Sequence, residues 1–161
     1  MHADSASTAG LTIERARAAT PDLVGAMAEL IPVLSPRRQP PDAAQLQAIL
    51  DDERLHLLLA RDPMGVIAGS VTLILYRVPT GLRARVEDLV VSPRHRGLGL
   101  GRALMEHAML AARQAHAHVL DLTSNPSRLE ANQLYLDLGF TRWDTNVYRK
   151  VLDEPGAGLP G

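Results

Sequence analysis

Residues Arg94 to Arg102 read RHRGLGLGR, with glycine at 97, 99 and 101 and arginine at 94, 96 and 102. Glycine at the opening of a helix costs backbone entropy that alanine would not. What it gives in return is access. With no Cβ in the way, an anion can rest on successive main-chain N–H groups, and the helix dipole adds a favourable field. Arg94, His95 and Arg96 bring positive charge to the same place. The stretch therefore suits a phosphate or pyrophosphate. Spacing excludes two familiar versions. A GxGxxG dinucleotide fingerprint needs glycine at position 102, where Arg102 stands. A nucleoside-triphosphate loop needs GxxxxGK followed by Ser or Thr, which is absent and argues against a kinase or nucleotide hydrolase.

The rest of the chain must position that loop. Its 161 residues are 46 % hydrophobic and 22 % charged, the balance of one domain with a sizeable core. A net charge of −1 gives no reason to expect nucleic acid or an anionic membrane as partner. Aromatic residues are only 3 %, so the core is aliphatic and stacking platforms for single strands are few. The absence of cysteine excludes disulfides, thiolate metal sites and a cysteine nucleophile, and fits a cytoplasmic location. No apolar run approaches the ~20 residues of a membrane span, and the first ten residues lack the pattern of a signal peptide. His116 and His118 lie two apart without a third ligand, so no metal site is expected.

Between polar, Gly- and Pro-rich tails expected at residues 1–10 and 153–161, one domain over 11–152 alternates strands and helices. Leu11 to Ala18 reads as a strand. Thr20 and Pro21 start a helix as N-cap and first helical residue, with Pro32 disturbing its last turn. Asp42 to Asp52 reads as a second helix. Strands follow at Leu55 to Arg61, Val66 to Tyr76 and Arg83 to Val91, the last two joined as a hairpin through Pro79-Thr80-Gly81. The glycine loop opens a helix at about Leu100. His118 to Leu122 is a short strand, and Ser127 is placed to cap a helix that Gly139 stops. Thr141 to Leu152 supplies one or two closing strands. The expected class is α/β (α+β): a mixed, mostly antiparallel central sheet of about seven strands flanked by about four helices.

Residues Leu89 to Leu104, LVVSPRHRGLGLGRAL, resemble the strongest motif of the GNAT superfamily of acyl-CoA-dependent N-acyltransferases. That motif is a strand ending in Val-x-Pro followed by (Arg/Gln)-x-x-Gly-x-(Gly/Ala) at a helix start. A second match follows at the right distance. Asn132 to Phe140, NQLYLDLGF, resembles the family's Asn-x-x-x-Tyr-like helix ending in Gly-Phe.

The resemblance implies that two parallel strands splay to form a cleft for acyl-CoA. The pantetheine arm would pair with main-chain groups of Leu89, Val90 and Val91. The pyrophosphate would sit on the amides of Arg96, Gly97, Leu98, Gly99, Leu100, Gly101 and Arg102. Asn125 and Asn132 are placed to reach the pantetheine or the adenine-phosphate part, and Asn125 equally suits a turn before Pro126. The implied reaction is direct attack of a primary amine on the thioester of acetyl-CoA in a ternary complex. Tyr135 occupies the family's acid position, and a half-buried core tyrosine is the alternative. Glu87 and Asp88 are the candidate bases. Strand alternation lets only one of them face the acceptor unless a bulge intervenes, and either could instead pair with Arg83 or Arg85 across the hairpin. Acceptor choice is assigned to Leu30 to Pro41 and Trp143 to Arg149. A homodimer is common in the family. The cofactor half alone also fits a non-catalytic acyl-CoA-binding sensor.

Overall fold

The structure is a computed structural model that describes residues 10–152. In chain order it contains β1 (Thr12–Arg15), α1 (Pro21–Leu34), α2 (Ala43–Asp51), β2 (Leu55–Arg61), β3 (Ile67–Val78), β4 (Gly81–Val91), α3 (Leu100–Gln114), β5 (Leu120–Asp121) and α4 (Leu129–Asp137). The five strands form one sheet in the order β1-β2-β3-β4-β5. The first four pair antiparallel, and β4 pairs parallel with β5. The mixed sheet and four helices match the expected class. The expected tails, apart from Gly10, lie outside the described residues.

Local chemistry sets the helix starts. Thr20 Oγ1 accepts from the Leu23 N–H at 3.2 Å, with Pro21 next in line. Pro32 lies inside α1, which nonetheless runs on to Leu34 and ends with the Ser35 N–H on the Ile31 carbonyl. Asp42 and Gln45 form a reciprocal capping box at α2, with bonds of 2.8 and 2.9 Å.

The sheet is covered on both faces. Alternation along β2 sends Leu58 and Ala60 into a core built with Leu100, Leu104, Met105 and Ala108 of α3. Leu57 and Leu59 face the other way, onto Leu23, Met27 and Leu30 of α1 and Leu46 of α2. α3 ends in a Schellman turn. The Ala117 N–H reaches the Ala112 carbonyl, and His116 takes a positive φ of 62°. Glycine is the usual residue there, because a Cβ crowds the following carbonyl. His116 is exposed, so His116→Gly is expected to stabilise the fold by about 1 kcal/mol, raising Tm by about 3 °C in a thermal melt.

Several boundaries differ from the sequence reading. Among the described residues the sheet has five strands, not about seven. β1 is shorter than Leu11 to Ala18, although the Ala16 N–H still bonds the Leu57 carbonyl. β5 is only two residues of the expected His118 to Leu122, because its parallel neighbour leaves it there. Thr141 to Leu152 forms no strand and is exposed throughout. Ser127 does not cap α4. Arg128 holds the N-cap position without a side-chain bond, and the Ser127 N–H instead donates to Asn125 Oδ1 at 2.9 Å.

Candidate active site

β4 and β5 are paired only at Ala84–Leu120 and Arg85–Asp121. Beyond Arg85 they separate, and β4 runs on to Val91 with no strand on that side among the described residues. The gap is a cleft of about 960 Å³. Leu89, Val90 and Val91 line one wall, residues Ser127 to Ala131 and Leu134 the other, and Arg96, Gly97, Gly99, Leu100, Gly101 and Arg102 the floor.

Among the described residues, no N–H from Arg96 to Arg102 donates to a protein acceptor. Gly97 and Gly99 have φ of 78° and 76°, and a Cβ at either would meet nothing within 4 Å. The glycines are therefore required by the left-handed turns that aim consecutive amides outward, and not by crowding within the protein. Gly99 is the N-cap of α3, so the positive end of that helix faces the floor. The first turn of α4 faces the same space. Arg102 touches Glu106 and Asp137 only at 3.8 Å, and such exposed pairs hold a guanidinium weakly.

The loop is tied down from behind. His95 Nε2 lies 3.0 Å from Asp62 Oδ2, and both side chains are largely buried. Asp62 Oδ1 accepts from the Met64 and Val66 N–H groups, each at 2.9 Å. These bonds, that of Val66 foremost, hold the Asp62 carboxyl below its usual range. His95 is thus an anchor between the phosphate loop and the β2–β3 turn.

At the inner end of the cleft lies a smaller pocket of about 140 Å³, lined among others by Glu87, Asp88, Thr123, Arg128 and Tyr135. A bulge brings both carboxylates to it. Thr72 pairs with Glu87 and Ser70 with Val90, so Val71 alone faces Asp88 and Leu89. Asp88 takes φ 53°, a left-handed conformation that aspartate tolerates better than most residues. The bulge also swaps the faces of β4. Val86 packs with the α3 core and Val90 with the α1–α2 core, although both are even-numbered. Parity between Glu87, Leu89 and Val91 therefore does not carry across Asp88.

The two carboxylates differ. Glu87 is engaged by Arg85 two residues earlier on the same strand, and Arg85 also donates to Thr123 Oγ1 at 3.2 Å. Asp88 accepts no hydrogen bond among the described residues. Desolvation by the pocket walls and then the Glu87 charge push its carboxyl above the usual range, with Arg38 opposing them. Tyr135 is 7 % exposed, stands edge-on to Phe140 at 6.0 Å, and has no described hydrogen-bond partner for its hydroxyl. Burial raises its pKa, so the phenol stays protonated at neutral pH.

Three predicted cofactor residues are not among those lining the cleft, although the Leu98 amide belongs to the open row. Leu98 is absent from the cleft lining, its side chain half in solvent. Asn125 makes the turn before Pro126, and Asn132 Nδ2 donates to the Asn125 carbonyl at 2.9 Å. This pair shapes the loop leading into α4. Sequence reasoning missed Thr123 and Arg128. Arg128 lines both cavities, and its place at the helix start after Asn-Pro-Ser was the available signal.

Residues 24–140 match the acetyltransferase (GNAT) family profile. The chain is 36 % identical over 92 residues to a mycothiol acetyltransferase of Arthrobacter sp. (strain FB24), covering 56 % of this chain and 28 % of that one. It is 41 % identical over 74 residues to a streptothricin acetyltransferase of Streptomyces lavendulae, covering 45 % and 39 %. The matches thus span well under half the length of these relatives. An aminoglycoside acetyltransferase from an uncultured soil metagenomic sample, solved with sisomicin, superposes with a TM-score of 0.77 over 90 % of this chain and 97 % of that one. At 17 % identity that likeness is one of fold. The splayed strands, the open amides and the matching profile agree, and the chain belongs to the GNAT family of acetyltransferases.

Proposed function

We propose that the protein transfers the acetyl group of acetyl-CoA to a primary amine by direct attack in a ternary complex. The observation that carries this reading is the row of undonated amides from Arg96 to Arg102 at the helix start, opening on the same cleft as the splayed β4. A diphosphate fits that floor, and the free edge of Leu89 to Val91 suits an extended pantetheine arm. The thioester then lies at the inner end, beside Asp88 and Tyr135.

The chemistry divides between those two groups. An amine is mostly protonated at neutral pH and must lose a proton before it can attack. Asp88, unpaired and with a raised pKa, accepts that proton directly or through one water. Glu87, held by Arg85, raises the basicity of Asp88 by its charge. As the C–N bond forms and the C–S bond breaks, the Tyr135 hydroxyl donates its proton to the departing sulfur. Without a cysteine there is no thiol to carry the acetyl group, which agrees with one direct transfer. The acceptor enters from the side of Arg38 and the end of α1. Streptothricin and aminoglycosides, the compounds named for two relatives, set the first candidates.

The test is an acceptor screen read by free thiol release from acetyl-CoA, covering streptothricin, aminoglycosides, small amines, amino acids, polyamines and peptide N-termini. An acceptor that releases thiol and gains an acetyl group by mass supports the proposal. Cofactor binding with no thiol release across the panel points to a sensor.

Asp88 supplies a separate prediction. A carboxyl whose pKa is raised on folding favours the folded state while protonated, and that benefit is lost as pH rises through the raised value. Asp88→Asn, which also tolerates a positive φ, is therefore expected to melt higher than the parent at pH 7 and equal to it in acid. Its acetylation rate should be low and lose the rise with pH that the parent shows. Melting curves and rates across pH check both signs.

A further inference from the structure

The amides from Arg96 to Arg102 donate no bond among the described residues, so their aim is set by what holds the loop at its two ends. At the far end the hold is the core. Leu100 is 1 % exposed, and the Ala103 N–H closes the first turn of α3 on the Gly99 carbonyl at 3.0 Å. At the near end the chain leaves β4 with the Ser92 N–H on the Ala68 carbonyl at 2.8 Å, then makes one 3₁₀ turn over Pro93–His95. Between that turn and the open amides the hold is one side chain. His95 Nε2 meets Asp62 Oδ2 at 3.0 Å, across 33 positions of sequence. A carboxylate only accepts, so Nε2 donates. The other ring nitrogen, Nδ1, is buried and has no partner among the described residues, which leaves the Asp62 bond as the single described polar hold on the ring.

Asp62 is shaped for that hold. Its main chain closes the β2–β3 turn, its N–H donating to the Val66 carbonyl and its carbonyl accepting from the Gly65 N–H, each at 2.9 Å. Its Oδ1 is occupied by the Met64 and Val66 N–H groups. With one oxygen fixed by two main-chain donors, the other is fixed toward His95. The Asp62 side chain is 13 % exposed and that of His95 19 %, so water competes little for the bond. His95 lines the cleft, and Asp62 does not.

We infer that Asp62 is a positioning residue for coenzyme A: through His95 it fixes the entry of the phosphate loop, so that the open amides converge on the diphosphate. The inference rests on the proposed binding of acetyl-CoA in this cleft. Amides that are already aimed lose little conformational freedom when an anion arrives. A loop released at His95 must be ordered by the ligand, and that cost appears as lost affinity. The reacting groups lie at the inner end of the cleft, beside Asp88 and Tyr135, and are untouched by it.

Asp62→Ser separates the two tasks of this side chain. A serine hydroxyl still accepts from N–H groups of its own turn, but it has no second oxygen for His95. Affinity for coenzyme A, read by titration calorimetry, is expected to fall about tenfold. KM for acetyl-CoA should rise in step, with kcat at saturation and KM for the acceptor unchanged. Asp62→Asn is expected to restore most of the affinity, because its NH₂ group donates to Nε2 of the other neutral tautomer. His95→Phe keeps a flat ring that cannot bond Asp62, and in that background Asp62→Ser should change affinity by less than about twofold. Parental affinity in Asp62→Ser overturns the role, whether or not its melting temperature falls. An equal loss in the His95→Phe background also overturns it, since the effect then runs through the turn alone. A parent without affinity for coenzyme A is a different result: it removes the proposed activity itself, and the role of Asp62 with it.

Discussion

Tyr135→Phe is expected to lower kcat by about 10²- to 10⁴-fold, the range for loss of a positioned proton donor, while affinity for acetyl-CoA stays unchanged. The phenol oxygen has no described protein partner, so its removal leaves no buried group unsatisfied. The ring keeps its edge-on contact with Phe140 and its place in the core. Stability should therefore hold, which separates a chemical role from a structural one. Steady-state rates with calorimetry on the same sample check the split. A variant that melts lower and loses rate only in proportion would return Tyr135 to the core. A variant with full kcat would remove it from the reaction.

The second large effect belongs to Gly99. A residue with a Cβ at φ 76° carries a penalty of about 1–2 kcal/mol, more for a β-branched one. Gly99→Val can relieve that strain only by rotating the amides away from the cleft. Affinity for coenzyme A should fall by about tenfold or more, since 1.4 kcal/mol is one decade. Leu98→Ala is the control. The Leu98 side chain is half in solvent and outside the cleft, and its amide is retained in the variant, so binding should be unaffected. Titration calorimetry with coenzyme A distinguishes the two. Equal affinity for both variants would show that the anion is held elsewhere.

The parts of the site legible in the sequence were those written in local chemistry. Three glycines, a following amphipathic helix and a Gly-Phe stop are short-range signals, and the loop, α3 and α4 lie where they indicated. The caps at Thr20 and Asp42 were equally local. What escaped depends on pairing between distant segments. Alternation of residue types cannot show that Val71 must face two residues of β4, so the bulge at Asp88 and the reversal of faces after it were invisible. The bond between Asn132 and the Asn125 carbonyl joins residues seven apart through a turn whose shape the sequence left open. The Arg85–Glu87 pair lies along one strand and not across the hairpin. Strand propensity in 141–152 was readable, but propensity does not say what a strand pairs with.

The open floor of the cleft has an evolutionary consequence. Because recognition there is written in peptide N–H groups, it is almost blind to which side chains accompany them. Leu98 projects to solvent and could drift, whereas Arg96 lines the cleft, Gly97 and Gly99 are pinned by geometry and Leu100 by the core beneath it. Saturation mutagenesis of 96–100 should therefore return a comb, tolerant and intolerant positions interleaved. Its teeth would record backbone shape and not chemical identity.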